Sequence, residues 1–329
     1  PFSFMKPKIY VTRKLPKPAL DKLKKFFDME INTMNRALTK KELVDNVKGR
    51  DALLCLLSDK IDSDVIKSNP DLKVISNCAV GFDNIDVKTA NKYRIPVCNT
   101  PGILTETTAD MTWAHMLSVA RRVVESDKFN RAGKFKGWDL MLFLGGDVHG
   151  KTLGIIGAGR IGTAVAKRSI GFNMKILYCD NRRNKTIESS PVNAKKVTLD
   201  RLLTRSDFVS IHVPLTKDTV HLIGEKELKK MKKTAYLINT SRGPVINEKA
   251  LVKALKNKEI AGAGLDVYEN EPKMTKGLAE LNNTVLTPHT ASASFGTRTK
   301  MALTAVENAV RVIKGKKPLH VVNPEVLGN

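Results

Sequence analysis

The hexapeptide Gly157-Ala158-Gly159-Arg160-Ile161-Gly162 limits what this chain can fold into more than any other feature. A strand-like run, Thr152 to Ile156, leads into it, and a helix-like run, Ile161 to Ser169, leads out. Asp180 stands eighteen residues beyond the last glycine, closing the strand-like run Lys175 to Cys179. In such a turn the first glycine permits a tight strand-to-helix reversal. The second lets backbone approach a pyrophosphate, and the third lets helix pack close on strand. The helix N-terminus, opening at Arg160 and Ile161, offers N–H groups to phosphate oxygens. The glycine pattern alone is a weak signal. With strand, helix and spaced acid around it, it reads as a dinucleotide-binding fingerprint.

Its mid-chain position matters as much as its spelling. At 329 residues the chain is long for a single core, so two domains are expected. The first hundred residues alternate strand-like runs (Ile9–Thr12, Met29–Asn32, Ala52–Leu56, Val74–Asn77, Val97–Asn99) with amphipathic ones (Pro18–Phe27, Thr39–Val47, Asp62–Asn69, Asp86–Tyr93). That alternation predicts a small parallel sheet covered by helices. From Thr152 onward six strands are expected, the later four at Phe208–Val213, Ala235–Asn239, Ala261–Asp266 and Thr284–Thr287. Six strands suit the two mononucleotide halves of a doubly wound sheet. A long helix is expected from about Thr105 to Val124, and a last one from Phe295 to Ile313, capped by Gly315. Phe129 to Leu144 holds four of the eighteen aromatic residues without clear periodicity, which points to an intramolecular arm or a subunit contact, the latter preferred.

Composition narrows the setting. Lys and Arg number 56 against 33 Asp and Glu, a net charge of +23 that raises the question of nucleic acid. The lysines, however, are dispersed over the polar faces of the expected helices, where solvated charge explains them; a positive field could also attract anionic ligands. Cys55, Cys78, Cys98 and Cys179 show no CxxC pairing and no metal-ligand spacing, so they read as core thiols of a reducing compartment. No metal is expected. No run approaches the roughly 18 apolar residues of a membrane span. The start, Pro1 to Lys6, lacks a secretory core, and Met5 reads as the natural first residue. A cytoplasmic protein is expected.

The later strand-like runs end in polar residues, where open α/β sheets bind ligands. Asn239-Thr240-Ser241-Arg242-Gly243 follows one, Asp266 to Pro272 the next, and Thr287-Pro288-His289-Thr290-Ala291 the last. Arginine offers a planar fork to a carboxylate. Histidine exchanges a proton near neutrality, and a carboxylate such as Glu271 would hold its tautomer. Arg242, Glu271 and His289 are therefore the candidate catalytic group.

With these residues in view, the chain resembles the D-isomer-specific 2-hydroxyacid dehydrogenase family, most closely its glyoxylate/hydroxypyruvate reductase branch. The likeness runs from about residue 8 to 326. It includes Ala79-Val80-Gly81-Phe82-Asp83-Asn84-Ile85-Asp86, Asn99-Thr100-Pro101, Thr107-Thr108-Ala109-Asp110, His212-Val213-Pro214-Leu215 and Gly264-Leu265-Asp266-Val267, besides the fingerprint, Ser241-Arg242-Gly243 and Pro288-His289. The resemblance implies a Rossmann cofactor domain, 101–291, inserted into a flavodoxin-like substrate domain made of 1–100 and 292–329. Within 101–291 it implies a dimerisation arm at about 122–146, hence a homodimer in which Trp138 borders the neighbouring site.

The same resemblance implies residue roles. His289 protonates the 2-oxo oxygen as hydride leaves the nicotinamide, Glu271 pairs with His289, and Arg242 binds the substrate carboxylate. Backbone N–H groups of Val80 and Gly81 hold that carboxylate from the other domain. Asp266, Thr240, Val213 and Pro214 contact the nicotinamide half, and Thr108 the pyrophosphate. Thr290-Ala291 departs from the Ile-Gly common after the family's histidine. Asp180 favours NAD by bonding a ribose diol, with NADP as the alternative because Arg182 and Arg183 follow it. The implied reaction is reduction of glyoxylate or hydroxypyruvate to the D-hydroxy acid. The alternatives are 3-phosphoglycerate dehydrogenase and a non-catalytic, dinucleotide-sensing binding protein.

Overall fold

A computed structural model of the chain describes residues 5–34 and 36–328. The first four residues of the expected Pro1-to-Lys6 start lie outside them. Two compact units divide the chain. One runs through Leu104 and resumes at Ala293; the other is Thr105–Ser292.

The first unit holds five parallel strands: β1 (Lys8–Val11), β2 (Asp28–Ile31), β3 (Ala52–Cys55), β4 (Val74–Asn77) and β5 (Val97–Cys98). Their order, β2-β1-β3-β4-β5, is the flavodoxin-like one. Ala-Leu-Leu-Cys of β3 and Val-Ile-Ser-Asn of β4 are buried at every position, as strands covered by helices on both faces must be. The helix Phe295–Ile313 returns the chain to this unit, with Ala302, Ala305 and Ala309 buried on its inner face. Such small side chains let it approach β4 closely, and Ser76 Oγ donates to Ala305 O at 2.7 Å.

The second unit holds seven parallel strands: β6 (Thr152–Ile156), β7 (Lys175–Cys179), β8 (Lys195–Lys196), β9 (Phe208–Ile211), β10 (Tyr236–Asn239), β11 (Gly262–Leu265) and β12 (Thr284–Leu286). They are ordered β12-β11-β10-β9-β6-β7-β8, so the direction of winding reverses between β6 and β9. That is the switch point at which doubly wound sheets take ligands. Seven strands replace the six expected. The additional one, β8, is two exposed lysines at the sheet edge, paired only with β7, and carries no apolar signal.

The long helix expected to reach Val124 also differs. It stops at Ala120, and a second helix runs Val123–Arg131. Between them Arg122 adopts φ 54°, and the carbonyl of Ala120 accepts from Gly146 N at 2.9 Å. A left-handed residue breaks the helix register whatever the local propensity. The last helix ends as expected, with Gly315 at φ 67°. Cys55, Cys78 and Cys98 are buried and Cys179 half-buried, all as free thiols. Burial pushes Cys78 and Cys98 up to about 12, which leaves them unreactive.

Candidate active site

The fingerprint turn has the shape its glycines require. Gly157 sits at φ 91°, and a Cβ there would lie 2.8 Å from the carbonyl carbon and oxygen of His212. A Cβ on Gly162 would meet the Gly157 carbonyl oxygen at 2.1 Å. Gly159 is different: nothing of the protein lies within 4 Å of where its Cβ would be. No internal contact demands glycine there, so the open space suits a ligand pressed against the backbone. Gly159 is also the N-cap of the helix Arg160–Arg168 and supplies no side-chain cap. The first N–H groups of that helix therefore have no partner from within it. An anionic pyrophosphate fits this turn by geometry and by charge. Asp180 accepts from Ala158 N at 2.8 Å through one oxygen and from Arg182 N at 2.9 Å through the other. Each oxygen keeps a lone pair for a further donor.

Strand register brings the later candidates together. Asn239 pairs with Leu265, and Leu265 with Leu286, so β10, β11 and β12 end level with one another. The residues that follow, Thr240 to Arg242, Asp266 to Glu271 and Thr287 to Ala291, leave the sheet side by side. His289 Nδ1 lies 2.9 Å from Glu271 Oε2. The other oxygen of Glu271 accepts from Tyr268 N at 3.0 Å. Burial alone would raise the Glu271 carboxyl. The His289 hydrogen bond and charge, the Tyr268 N–H and the charge of Arg242 together bring it below its ordinary value. Arg242 is half-buried and donates to Ser241 O at 3.0 Å.

His289 is held in a conformation that few residues adopt, with φ 52°. Its N–H donates to Asp266 O at 2.9 Å and Thr287 O at 3.1 Å. The Asp266 carboxylate, fully buried, organises the rest of this turn. It accepts from Thr287 Oγ1 at 2.5 Å, Thr290 N at 2.7 Å and Ala291 N at 2.7 Å. Thr290, the departure from Ile, adds its hydroxyl to the same carboxylate at 3.3 Å. Backbone strain of about 1–3 kcal/mol survives only where surroundings over-determine it, and it clusters at working sites.

Two other histidines are unsuited to proton transfer. Burial pushes His212 down to about 3 and lowers His115, so both stay neutral. A second histidine–carboxylate pair, His221 Nε2 to Glu269 Oε1 at 2.5 Å, is absent from the sequence reading. Glu269 also accepts from Glu248 N at 3.1 Å, so this pair fastens a loop to the start of the helix Glu248–Lys256. Glu269 leaves β11 on the same segment as Glu271, but its partner His221 stands ten residues beyond the end of β9. Thr240 is buried and shares a 2.9 Å hydrogen bond with Thr112; Thr108 is buried on the helix Thr105–Ala120. Val213 is half-buried and Pro214 exposed after β9. Val80 and Gly81 belong to the first unit and are half-buried.

Residues 113–291 match the sequence pattern of the D-isomer specific 2-hydroxyacid dehydrogenase NAD binding domain. A glyoxylate reductase of Korarchaeum cryptofilum is 50% identical over 325 residues, covering 98% of each chain. The chain belongs to the D-isomer-specific 2-hydroxyacid dehydrogenase family. Among solved structures, a Thermus thermophilus protein is 42% identical to this dehydrogenase with a TM-score of 0.89, covering 96% of this chain and 99% of the other. An NADPH-dependent glyoxylate/hydroxypyruvate reductase of Sinorhizobium meliloti, solved with NADP and malonate, is 29% identical with a TM-score of 0.84, covering 96% and 97%. Two residues of the dehydrogenase's site were beyond sequence reading. Tyr268 braces the histidine turn by donating to Thr287 O at 3.0 Å, and Gly243 faces the Tyr268 carbonyl so closely that a Cβ would lie 1.9 Å away. Neither carries a periodic signal; the Ser-Arg-Gly triplet was the available hint for Gly243.

Proposed function

We propose that the protein reduces a small 2-oxo acid, glyoxylate or hydroxypyruvate, to the D-2-hydroxy acid with NADH. The observation that carries this reading is the 2.9 Å His289–Glu271 hydrogen bond, formed beside Arg242 at the ends of a dinucleotide-binding sheet. When bound, the nicotinamide supplies the hydride. With Nδ1 committed to Glu271, His289 carries its transferable proton on Nε2 and delivers it to the 2-oxo oxygen. Glu271 stabilises the charged ring and fixes its tautomer. Arg242 receives the substrate carboxylate and polarises the carbonyl. Val80 and Gly81 offer backbone N–H groups to the same carboxylate. Thr108, Gly157, Gly159, Arg160, Ile161 and Gly162 serve the phosphates, and Val213, Pro214, Thr240 and Asp266 the nicotinamide half. The full burial of Asp266 suits support of that region from behind.

Asp180 is the argument for NAD, since its carboxylate bonds a ribose diol and repels a 2′-phosphate. The glyoxylate reductase name of a relative 50% identical supports the substrate class. We further read residues 101–291 as the cofactor domain, 1–100 and 292–329 as the substrate domain, and the protein as a cytoplasmic homodimer. In the arm, Trp138 is 83% and Met141 69% exposed, apolar surface that a second copy would cover. No helix among the described residues is long and apolar enough to cross a membrane.

The test is oxidation of NADH and NADPH in the presence of glyoxylate, hydroxypyruvate, pyruvate and 3-phosphohydroxypyruvate. NADH with glyoxylate or hydroxypyruvate is expected to give the highest kcat/KM. A protein that turns over none of the four would refute the reading, and preference for 3-phosphohydroxypyruvate would redirect it.

The lowered carboxyl of Glu271 has a pH consequence. Its ionised form is present above the ordinary value of 4.5 and is lost only as pH falls through the lowered one. The acid limb of kcat/KM for reduction is therefore expected below pH 4.5, and Glu271→Gln should abolish that limb while slowing turnover at pH 7 about tenfold. A wild-type acid limb centred above pH 5 would contradict this.

A further inference from the structure

In the first unit, the loop after β4 is held from behind at three successive carbonyls. Thr100 N donates to Ala79 O at 2.8 Å, Asn99 Nδ2 to Val80 O at 2.8 Å, and Asn77 Nδ2 to Gly81 O at 2.9 Å. All three peptides are trans, so each N–H points opposite to the carbonyl it shares a plane with. The N–H groups concerned, of Val80, Gly81 and Phe82, donate to no acceptor among the described residues. Successive unpartnered backbone N–H groups form a concavity for anions.

The two asparagines are themselves fixed. Asn77 is fully buried at the end of β4 and donates also to Asn84 Oδ1 at 3.1 Å. Asn84 in turn donates to Leu56 O at 3.1 Å and Asp59 O at 3.0 Å. Asn99 is 9% exposed, and its own carbonyl accepts from Asn308 Nδ2 at 3.1 Å on the returning helix. Neither amide can swing away without leaving a half-buried carbonyl unpaired.

We propose that Asn77 and Asn99 are positioning residues for substrate: by holding the Gly81 and Val80 carbonyls they aim a row of backbone N–H groups at the carboxylate of a 2-oxo acid. This rests on the proposed function, and it adds to Val80 and Gly81 the side chains that orient them. Because the row contacts carboxylate and not dinucleotide, damage to it should appear in substrate affinity alone.

The experiment compares wild type with Asn99→Leu, which keeps the branched shape and loses the donor, and with Asn99→Asp, which sets an oxygen against the Val80 carbonyl. KM is measured for glyoxylate and for NADH, and oxalate binding by calorimetry. Asn99→Leu is expected to raise the glyoxylate KM about tenfold or more and to weaken oxalate by a similar factor, since hydrogen bonds to a charged ligand are at stake. The NADH KM should stay within about twofold, and Asn99→Asp should be worse than Asn99→Leu. If Asn99→Leu does not fold by circular dichroism, Asn99→Ser is read in its place. An unchanged glyoxylate KM and oxalate affinity would overturn the proposal, as would an equal rise in both KM values, the mark of general structural damage. No wild-type turnover, with oxalate binding still weakened by Asn99→Leu, would refute the reductase reading and keep the donor row. Neither turnover nor oxalate binding in wild type would overturn both.

Discussion

His289→Ala should reduce kcat for 2-oxo acid reduction by about 10²- to 10⁴-fold, the range that a positioned general acid contributes. Three features of the structure concentrate the proton chemistry on this residue. Its Nδ1 is committed to Glu271 at 2.9 Å, so the ring can gain and lose a proton at Nε2 without turning. Its backbone is pinned at φ 52° by two hydrogen bonds. Two other histidines are excluded by environment, because burial keeps His212, after β9, and His115, on the helix Thr105–Ala120, neutral. The fingerprint turn follows β6 and His289 follows β12, four places away in the sheet, so NADH affinity, followed by fluorescence quenching, should be unchanged in the variant. His289→Asn restores a polar group without a titratable proton and should be no better than alanine. A variant retaining a tenth of wild-type turnover would mean that water or another group supplies the proton, and the mechanism would fail.

How far the sequence carried the reading depends on the distance over which each feature is encoded. The glycine turn is local: the strand before it, the helix after it and Asp180 lie within thirty residues, and each leaves its own pattern. The strand-end triplet is local in another sense. Arg242, Glu271 and His289 each follow an apolar run whose end is legible, and the parallel register then levels β10, β11 and β12. What failed was encoded elsewhere. The helix break at Arg122 depends on Gly146, twenty-four residues downstream, taking the Ala120 carbonyl. Strand β8 is defined by its neighbour β7 and not by its two lysines. The struts behind Val80 and Gly81 use Asn77, Asn84 and Asn99, polar residues that look like loop punctuation until Asn77 and Asn99 are seen to hold backbone carbonyls and Asn84 to brace Asn77.

Asp266 is the residue whose structural part differs most from what its position suggested, and Asp266→Asn should be the most damaging single-atom exchange in the second unit. The wild-type carboxylate accepts two backbone N–H groups and one hydroxyl at 2.7 Å or less, and none of it is exposed. An amide has one oxygen and one NH2, so whichever way it turns, a donor faces a donor at Thr290 N or Ala291 N. An unsatisfied buried donor costs about 1–3 kcal/mol, and the loss of charge-assisted bonds adds to it. A stability loss of about 2–4 kcal/mol is therefore expected, read as a lower midpoint in urea unfolding with the m-value unchanged. Catalysis should fall further than stability implies. The turn from Thr287 to Ala291 contains the strained His289, and with its internal acceptor impaired the residue can relax toward ordinary backbone angles. At a temperature where the variant is fully folded, kcat should still drop about 10²-fold or more, because misplacing a reacting group by an ångström has that effect. Wild-type kcat in a folded Asp266→Asn protein would show that the turn holds its shape without the carboxylate, and that the geometry around His289 is set by Tyr268 and the backbone alone.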